Sequence, residues 1–173
     1  NINNMVGMFS SSSSIKKINI SNFDVKSNLI DIRYIFNECK LLEELKISNN
    51  FFFKDFEKNH IFHDCTNLKI LFISNLSNDY IKEMRDFLYG CRALEKLNIS
   101  NFNANNITNM SNMFKECSSL KEINIQNFNA NNINDMSYMF SGCTSLNKLS
   151  IQKFNANNIT DMSNMFSGCS SLI

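Results

Sequence analysis

The sequence predicts an α/β solenoid of 26-residue repeats, each with one short parallel strand and one short helical turn. Three observations predict it. Six cysteines stand at Cys39, Cys65, Cys91, Cys117, Cys143 and Cys169, and every step between them is 26 residues. A fixed period of roughly 20–50 residues is the mark of a stacked array. Apolar columns keep the same step: Leu42, Leu68, Leu94, Leu120, Leu146 and Leu172 follow the cysteines, and Met113-Phe114, Met139-Phe140 and Met165-Phe166 precede them. Within each repeat, the apolar spacing switches from every second residue to i, i+3, i+4.

The strand comes from the first spacing. Leu97-Asn98-Ile99-Ser100 alternates apolar and polar side chains, the period of a strand with one buried face. Leu97 and Ile99 are expected to point in, and Asn98 and Ser100 out. Ile123-Asn124-Ile125-Gln126 and Leu149-Ser150-Ile151-Gln152 repeat the pattern. Stacked at about 4.8 Å, these strands make one parallel sheet. Proline is absent from the chain, so no strand amide is sacrificed.

The helical turn comes from the second spacing. Met110, Met113 and Phe114 lie on one face of a helical turn. Thr108 is placed to cap it by accepting an amide hydrogen bond. Thr160-Asp161 repeats the arrangement, with a carboxylate suited to the helix dipole. Gly142 and Gly168 stand where a helix exits through a left-handed residue. Pieces this short hold only by packing onto the strand side.

The period reaches both ends. Ile2, Met5, Met8 and Phe9 match Ile107, Met110, Met113 and Phe114. Ser12 takes the cysteine column, 27 residues before Cys39, and "CSSLI" begins a new repeat at the other end. Residues 1–173 are expected to form a single repeat domain, a piece of a longer protein with about six full repeats and partial ones at both ends. One repeat cannot bury its own apolar face, whereas stacked neighbours can.

Composition narrows the functional classes. Seventeen basic and sixteen acidic residues leave a net charge of +1, with no basic stripe for nucleic acid. No apolar stretch is long enough to insert in a bilayer. Phosphate-binding glycine loops and nucleophile–histidine arrangements are missing. An array also multiplies one ordinary unit, where an enzyme needs one special constellation. No catalytic residues, cofactor or metal are expected.

The cysteines could in principle be ligands, bridges or core. Zinc sites want pairs two to four residues apart, roughly, and none occur. Bridges between successive rungs are within reach, but parallel side chains favour a stack. Cys39, Cys65, Cys91, Cys117, Cys143 and Cys169 are expected to form a buried structural ladder. The methionine–phenylalanine stripe is expected in the core. His60 and His63 in "NHIFHDC" have a metal-like spacing, but no second cluster supports it. Asn106, Asn109 and Asn158 begin N-glycosylation patterns of the kind that asparagine-rich text produces by accident.

Two stretches break the pattern. "NNFFFKDFEKNHIF" places Phe51, Phe52, Phe53 and Phe56 where other repeats carry a polar turn. They are either a repacked rung or an exposed contact patch. Ile70-Leu71-Phe72-Ile73 puts Phe72 in the outward column of Asn98, Asn124 and Ser150, a candidate hot spot. The binding face expected from these strands is Phe72, Asn98, Ser100, Asn124, Gln126, Ser150 and Gln152.

The unit "KFNANNITDMSNMFSGCSSL", from Lys153 to Leu172, resembles the BspA-like leucine-rich repeats, in the branch known from mycoplasma surface lipoproteins. Asn158 to Ser163, Met165 to Cys169 and Ser170 to Leu172 carry the resemblance. Commoner leucine-rich repeats place a buried asparagine where this chain has Phe102, Phe128 and Phe154; here asparagine stands one place earlier, at Asn101 and Asn127. The resemblance implies a leucine-rich-repeat-like fold and a cell-surface or secreted protein, often an adhesin. It carries no functional residue across.

The expected function is a non-catalytic protein- or glycan-binding module in adhesion or host contact, with many small polar contacts summed by multivalency. Two other readings stay open. One is a spacer stalk presenting another domain; the other is an intracellular interaction scaffold, with which unpaired thiols are compatible.

Overall fold

The computed structural model describes residues 4–21, 31–48, 61–74, 81–99, 106–124, 131–150 and 157–173. Six strands occur there: β1 (Lys17–Ile20), β2 (Glu44–Ser48), β3 (Ile70–Ser74), β4 (Lys96–Asn98), β5 (Glu122–Asn124) and β6 (Lys148–Ser150). All pairings are parallel, in the orders β1-β2-β3-β4 and β5-β6. Ile18, Leu45, Leu71 and Leu97 share one column, as do Ile123 and Leu149. The alternation sets which face is buried: Ile18, Leu45, Ile47, Leu71, Ile73 and Ile123 lie in the core. The repeat is thus a β-solenoid rung of 26 residues. Among the described residues the expected single sheet comes in two pieces.

The expected helical turn does not form; among the described residues there is no helix. The rung from Asn109 to Cys117 shows why. Alternate amides leave the rung: Met110, Asn112, Phe114 and Glu116 donate to the carbonyls of Asp135, Ser137, Met139 and Ser141, at 2.8–3.0 Å. The amides between them stay local, Met113 to Met110, Lys115 to Asn112 and Cys117 to Phe114, at 3.0–3.2 Å. A helix needs every amide directed back four residues. Here half are spent on the neighbouring rung, so consecutive tight turns replace it.

Left-handed residues make that alternation possible. Asn112 (φ 56°) and Glu116 (φ 64°) stand four apart, and Gly142 (φ 78°) and Gly168 (φ 76°) occupy the Glu116 column. Asn112, Glu116 and Gly142 each turn the chain so that their own amides donate to the next rung. A Cβ on Gly142 would meet the Glu116 backbone at 3.4 Å. The predicted left-handed glycines are therefore correctly placed but end no helix.

The predicted cap also shifts by one residue. Thr108 donates its hydroxyl to the Lys82 carbonyl of the preceding rung at 3.2 Å. Asn109 does the accepting, from the Ser111 amide and hydroxyl, both at 2.8 Å. Asp135 repeats this with Ser137, and Asp161 accepts from the Ser163 amide. Bridges Asn109↔Asp135 and Asp135↔Asp161 run up this column as a second parallel seam.

Between the sheet and that seam lies the core. Phe9, Phe36 and Phe62 stack at 5.7 Å between centroids, within 5° of coplanar. Phe114, Phe140 and Phe166 stack likewise at 5.4 and 5.6 Å. Leu88 interrupts the column, and Phe87 meets Phe62 edge-on at 5.1 Å. Cys39, Cys65, Cys91, Cys117 and Cys143 are buried, Cys169 is half-buried, and all six thiols are free. Each thiol reaches the rung before it. Cys65 Sγ donates to the Phe36 carbonyl (3.1 Å), Cys117 to Leu88 (3.3 Å) and Cys143 to Phe114 (3.1 Å). Those carbonyls also accept a cysteine amide of their own rung, so a thiol uses a lone pair that the turn leaves over.

Candidate protein-binding face

The outward positions of the strands form a polar surface with one apolar interruption. Register pairs Lys17 with Glu44, Glu44 with Ile70, and Ile70 with Lys96. In the adjoining column Lys46 pairs with Phe72, and Phe72 with Asn98. On β3 alone the first two outward positions, Ile70 and Phe72, are apolar. Phe72 is 37% exposed, and Lys46 holds its ammonium 5.7 Å from the ring centroid. That contact keeps the ring in place at little cost. Charges surround it. Glu44 pairs with Lys46 (3.0 Å) and Lys17 (3.2 Å), and Glu43 with Lys69 (3.2 Å). Hydrogen bonding to Lys46 and Lys17 holds the Glu44 carboxyl below its usual range; Lys69 does the same for Glu43.

Among the expected face residues, register makes Phe72 and Asn98 direct neighbours, and likewise Asn124 and Ser150. Asn98 is exposed and Ser150 half-buried. Ser100, Gln126 and Gln152 lie outside the described residues, as do Phe51, Phe52, Phe53, Phe56 and His60. Ile70 and Lys46 were not singled out by sequence reasoning. The signal was available: reading the position two before Phe72 down the repeats finds Lys, Glu, Ile, Lys, Glu and Lys, with Ile70 the exception.

The flank away from the sheet carries a second row. His63 stacks on Tyr89 at 5.7 Å and lies 3.4 Å from Asp64. Lys115 sits between the Tyr89 and Tyr138 rings, 5.6 and 5.0 Å from their centroids. These side chains satisfy one another, so the row is a lateral brace between rungs. Asn109, in one glycosylation-like pattern, is buried and donates to Asp135 at 3.1 Å.

Comparison with known proteins bears on the whole chain. A family described as "Mycoplasma protein of unknown function, DUF285" matches residues 1–67 and 56–173. A leucine-rich repeat protein from Bacteroides ovatus is similar in structure, with a TM-score of 0.59 and 19% identity over 96% of this chain. This chain spans 38% of the length of that protein. The T. pallidum leucine-rich repeat protein is similar with a TM-score of 0.55 and 17% identity, over 99% of this chain and 72% of the other. No curated protein matches. Because the family match spans both halves of the sequence and the solenoid superposes on leucine-rich repeat structures, the chain belongs to the DUF285 family of mycoplasma-type, BspA-like leucine-rich repeats.

Proposed function

We propose that the sheet face is the protein-binding surface of a cell-surface or secreted adhesion protein, with Ile70 and Phe72 as its anchor. The leucine-rich-repeat fold is of a kind that serves protein interaction, and such folds are typically non-catalytic. One observation carries the finer reading. The only rung with two apolar outward side chains among the described strands lies in the middle of the four-stranded sheet, rimmed by Glu44, Lys46, Lys96 and Asn98. An aromatic anchor inside a polar rim is the layout of an interface hot spot. A protein ligand would bury the Phe72 ring and meet the charged rim with opposite charges.

The test is binding of the purified chain to arrayed extracellular-matrix proteins and glycans. Phe72→Ser is compared with Lys115→Ala, which alters the flank alone. Loss of a hot-spot side chain costs about 2 kcal/mol or more, some 30-fold in affinity. That loss in Phe72→Ser, with Lys115→Ala unchanged, is expected. Equal binding by both variants removes the anchor. Absence of any ligand, with reach of an attached domain depending on rung number, favours a spacer. Glycan binding insensitive to Phe72 moves the contact to the polar columns.

A further inference from the structure

Apart from Leu88 in the phenylalanine column and Ser12 in the cysteine column, the rungs carry the same apolar columns. Phenylalanine, cysteine and leucine therefore cannot tell the next rung from the one after it. A chain built this way can loop out one rung and pack its neighbours together, a characteristic misassembly of repeat proteins. Something else must count the rungs.

Two columns at the sheet entrance carry alternating signs, and the first does so without a break from Lys16 to Lys121. The first runs Lys16, Glu43, Lys69, Glu95, Lys121 and ends on the neutral Asn147. Backbone bonds make the first four of them true neighbours: the Glu43 amide donates to Lys16, Lys69 to Glu43, and Glu95 to Lys69, at 2.7–2.9 Å. The second runs Lys17, Glu44, Ile70, Lys96, Glu122, Lys148, and strand register pairs its consecutive members within each sheet piece. Wherever two charges are successive in either column, their signs are opposite. Lys16–Glu43 (3.8 Å), Glu43–Lys69 (3.2 Å), Lys17–Glu44 (3.2 Å) and Glu122–Lys148 (3.6 Å) are ion pairs.

We propose that the alternation of the first column is a register lock, which admits each of its charged rungs only onto its immediate neighbour. In the first column, skipping a rung brings Lys16 onto Lys69, Glu43 onto Glu95, or Lys69 onto Lys121; in the second, Ile70 breaks the order, and skipping its rung would set Glu44 against Lys96. Like charges directly opposite in a sheet are destabilising. Each native pair is exposed and stabilises little by itself. Its effect lies in the difference between the correct stack and the skipped one, which is how specificity against an alternative is built. A skip of two rungs restores the signs but loops out twice as much chain.

A swap that preserves composition tests the lock. Glu43→Lys with Lys69→Glu leaves net charge and their mutual pair intact. It sets a positive charge at position 43 against Lys16 and a negative charge at position 69 against Glu95, and it makes the skipped contacts attractive. In about 10 mM salt the swap is expected to lower Tm by roughly 3–6 °C and to add a slow refolding phase; both effects should fade in about 1 M salt. Inverting all five members (K16E/E43K/K69E/E95K/K121E) keeps the alternation in opposite phase. That chain is expected to melt and refold like the parent despite carrying more substitutions. If the inverted chain falls as far as the swap, or the swap's deficit persists in high salt, sign order is not what sets the register.

Discussion

The side chain at the cysteine column has two tasks, filling a narrow slot and donating to a carbonyl of the rung before. Cys117 is wholly buried, and its Sγ lies 3.3 Å from the Leu88 carbonyl. Serine can do the second task but fills the slot less well. Leucine fills it too well and donates nothing. Ser12, in this column at the first rung, shows that a hydroxyl residue is compatible with the turn. Cys117→Ser should therefore cost about 1 kcal/mol, and Cys117→Leu about 1–3 kcal/mol through overpacking. Urea unfolding measures both. A leucine variant as stable as the serine one would mean that the slot is not tightly filled. The same geometry predicts chemical behaviour: in the folded 173-residue segment a maleimide should label Cys169, which is half-buried, well before the five buried thiols.

At the scale of the element, strand and turn differ in how openly the sequence declares them. The strand was legible because Leu97, Asn98 and Ile99 alternate, and alternation admits few other folds. The opposite side was misjudged because Met110, Met113 and Phe114 have a helix's spacing without a helix's hydrogen bonds. Alternating amides that cross to the next rung leave the same side chains facing inward. The clue was the left-handed positions, but these hold Tyr34, Glu38, Glu116 and Tyr138 as well as Gly142 and Gly168. A column of mixed residues hides a backbone requirement that a column of glycines would reveal. Phe72 could be found because it breaks an alternation; Ile70 needed the column and not the strand. The phenylalanine column lends itself to measurement. Phe114 and Phe140 are wholly buried, whereas Phe166 is 38% exposed. Phe114→Ala should cost about 3–5 kcal/mol and Phe166→Ala markedly less, as read from the midpoint of urea unfolding. Equal losses would show that the stack acts as one unit and not rung by rung.

Across the whole molecule, two sets of titrating groups bound the pH range of stability. On the acid side stand carboxylates whose ionised form the fold favours. Ser163 hydrogen bonds hold Asp161 below its ordinary range, and lysine partners do so for Glu43 and Glu44. A carboxyl depressed in the fold contributes stability above its unfolded pKa, near 4. That contribution disappears as pH falls through the lower folded value. On the alkaline side stand the buried thiols, whose neutral form the fold favours. Burial pushes Cys65, Cys91 and Cys117 well up, and Cys143 to about 12. An unfolded cysteine loses its proton near pH 8.5. Above that point ionisation stabilises the unfolded chain and not the folded one, and stability falls until the folded thiol also ionises. Melting temperature should thus be flat from about pH 5 to about pH 8 and decline on both sides. Serine has no such ionisation, so Cys91→Ser, Cys117→Ser and Cys143→Ser combined should flatten the alkaline limb while lowering the plateau. Asp161→Asn should soften the acid limb alone. The measurement is a series of thermal melts from about pH 3 to about pH 10.5 on the three proteins, at one fixed salt concentration. An alkaline limb of unchanged steepness in the triple serine variant would show that the thiols are not the groups that destabilise the stack at high pH.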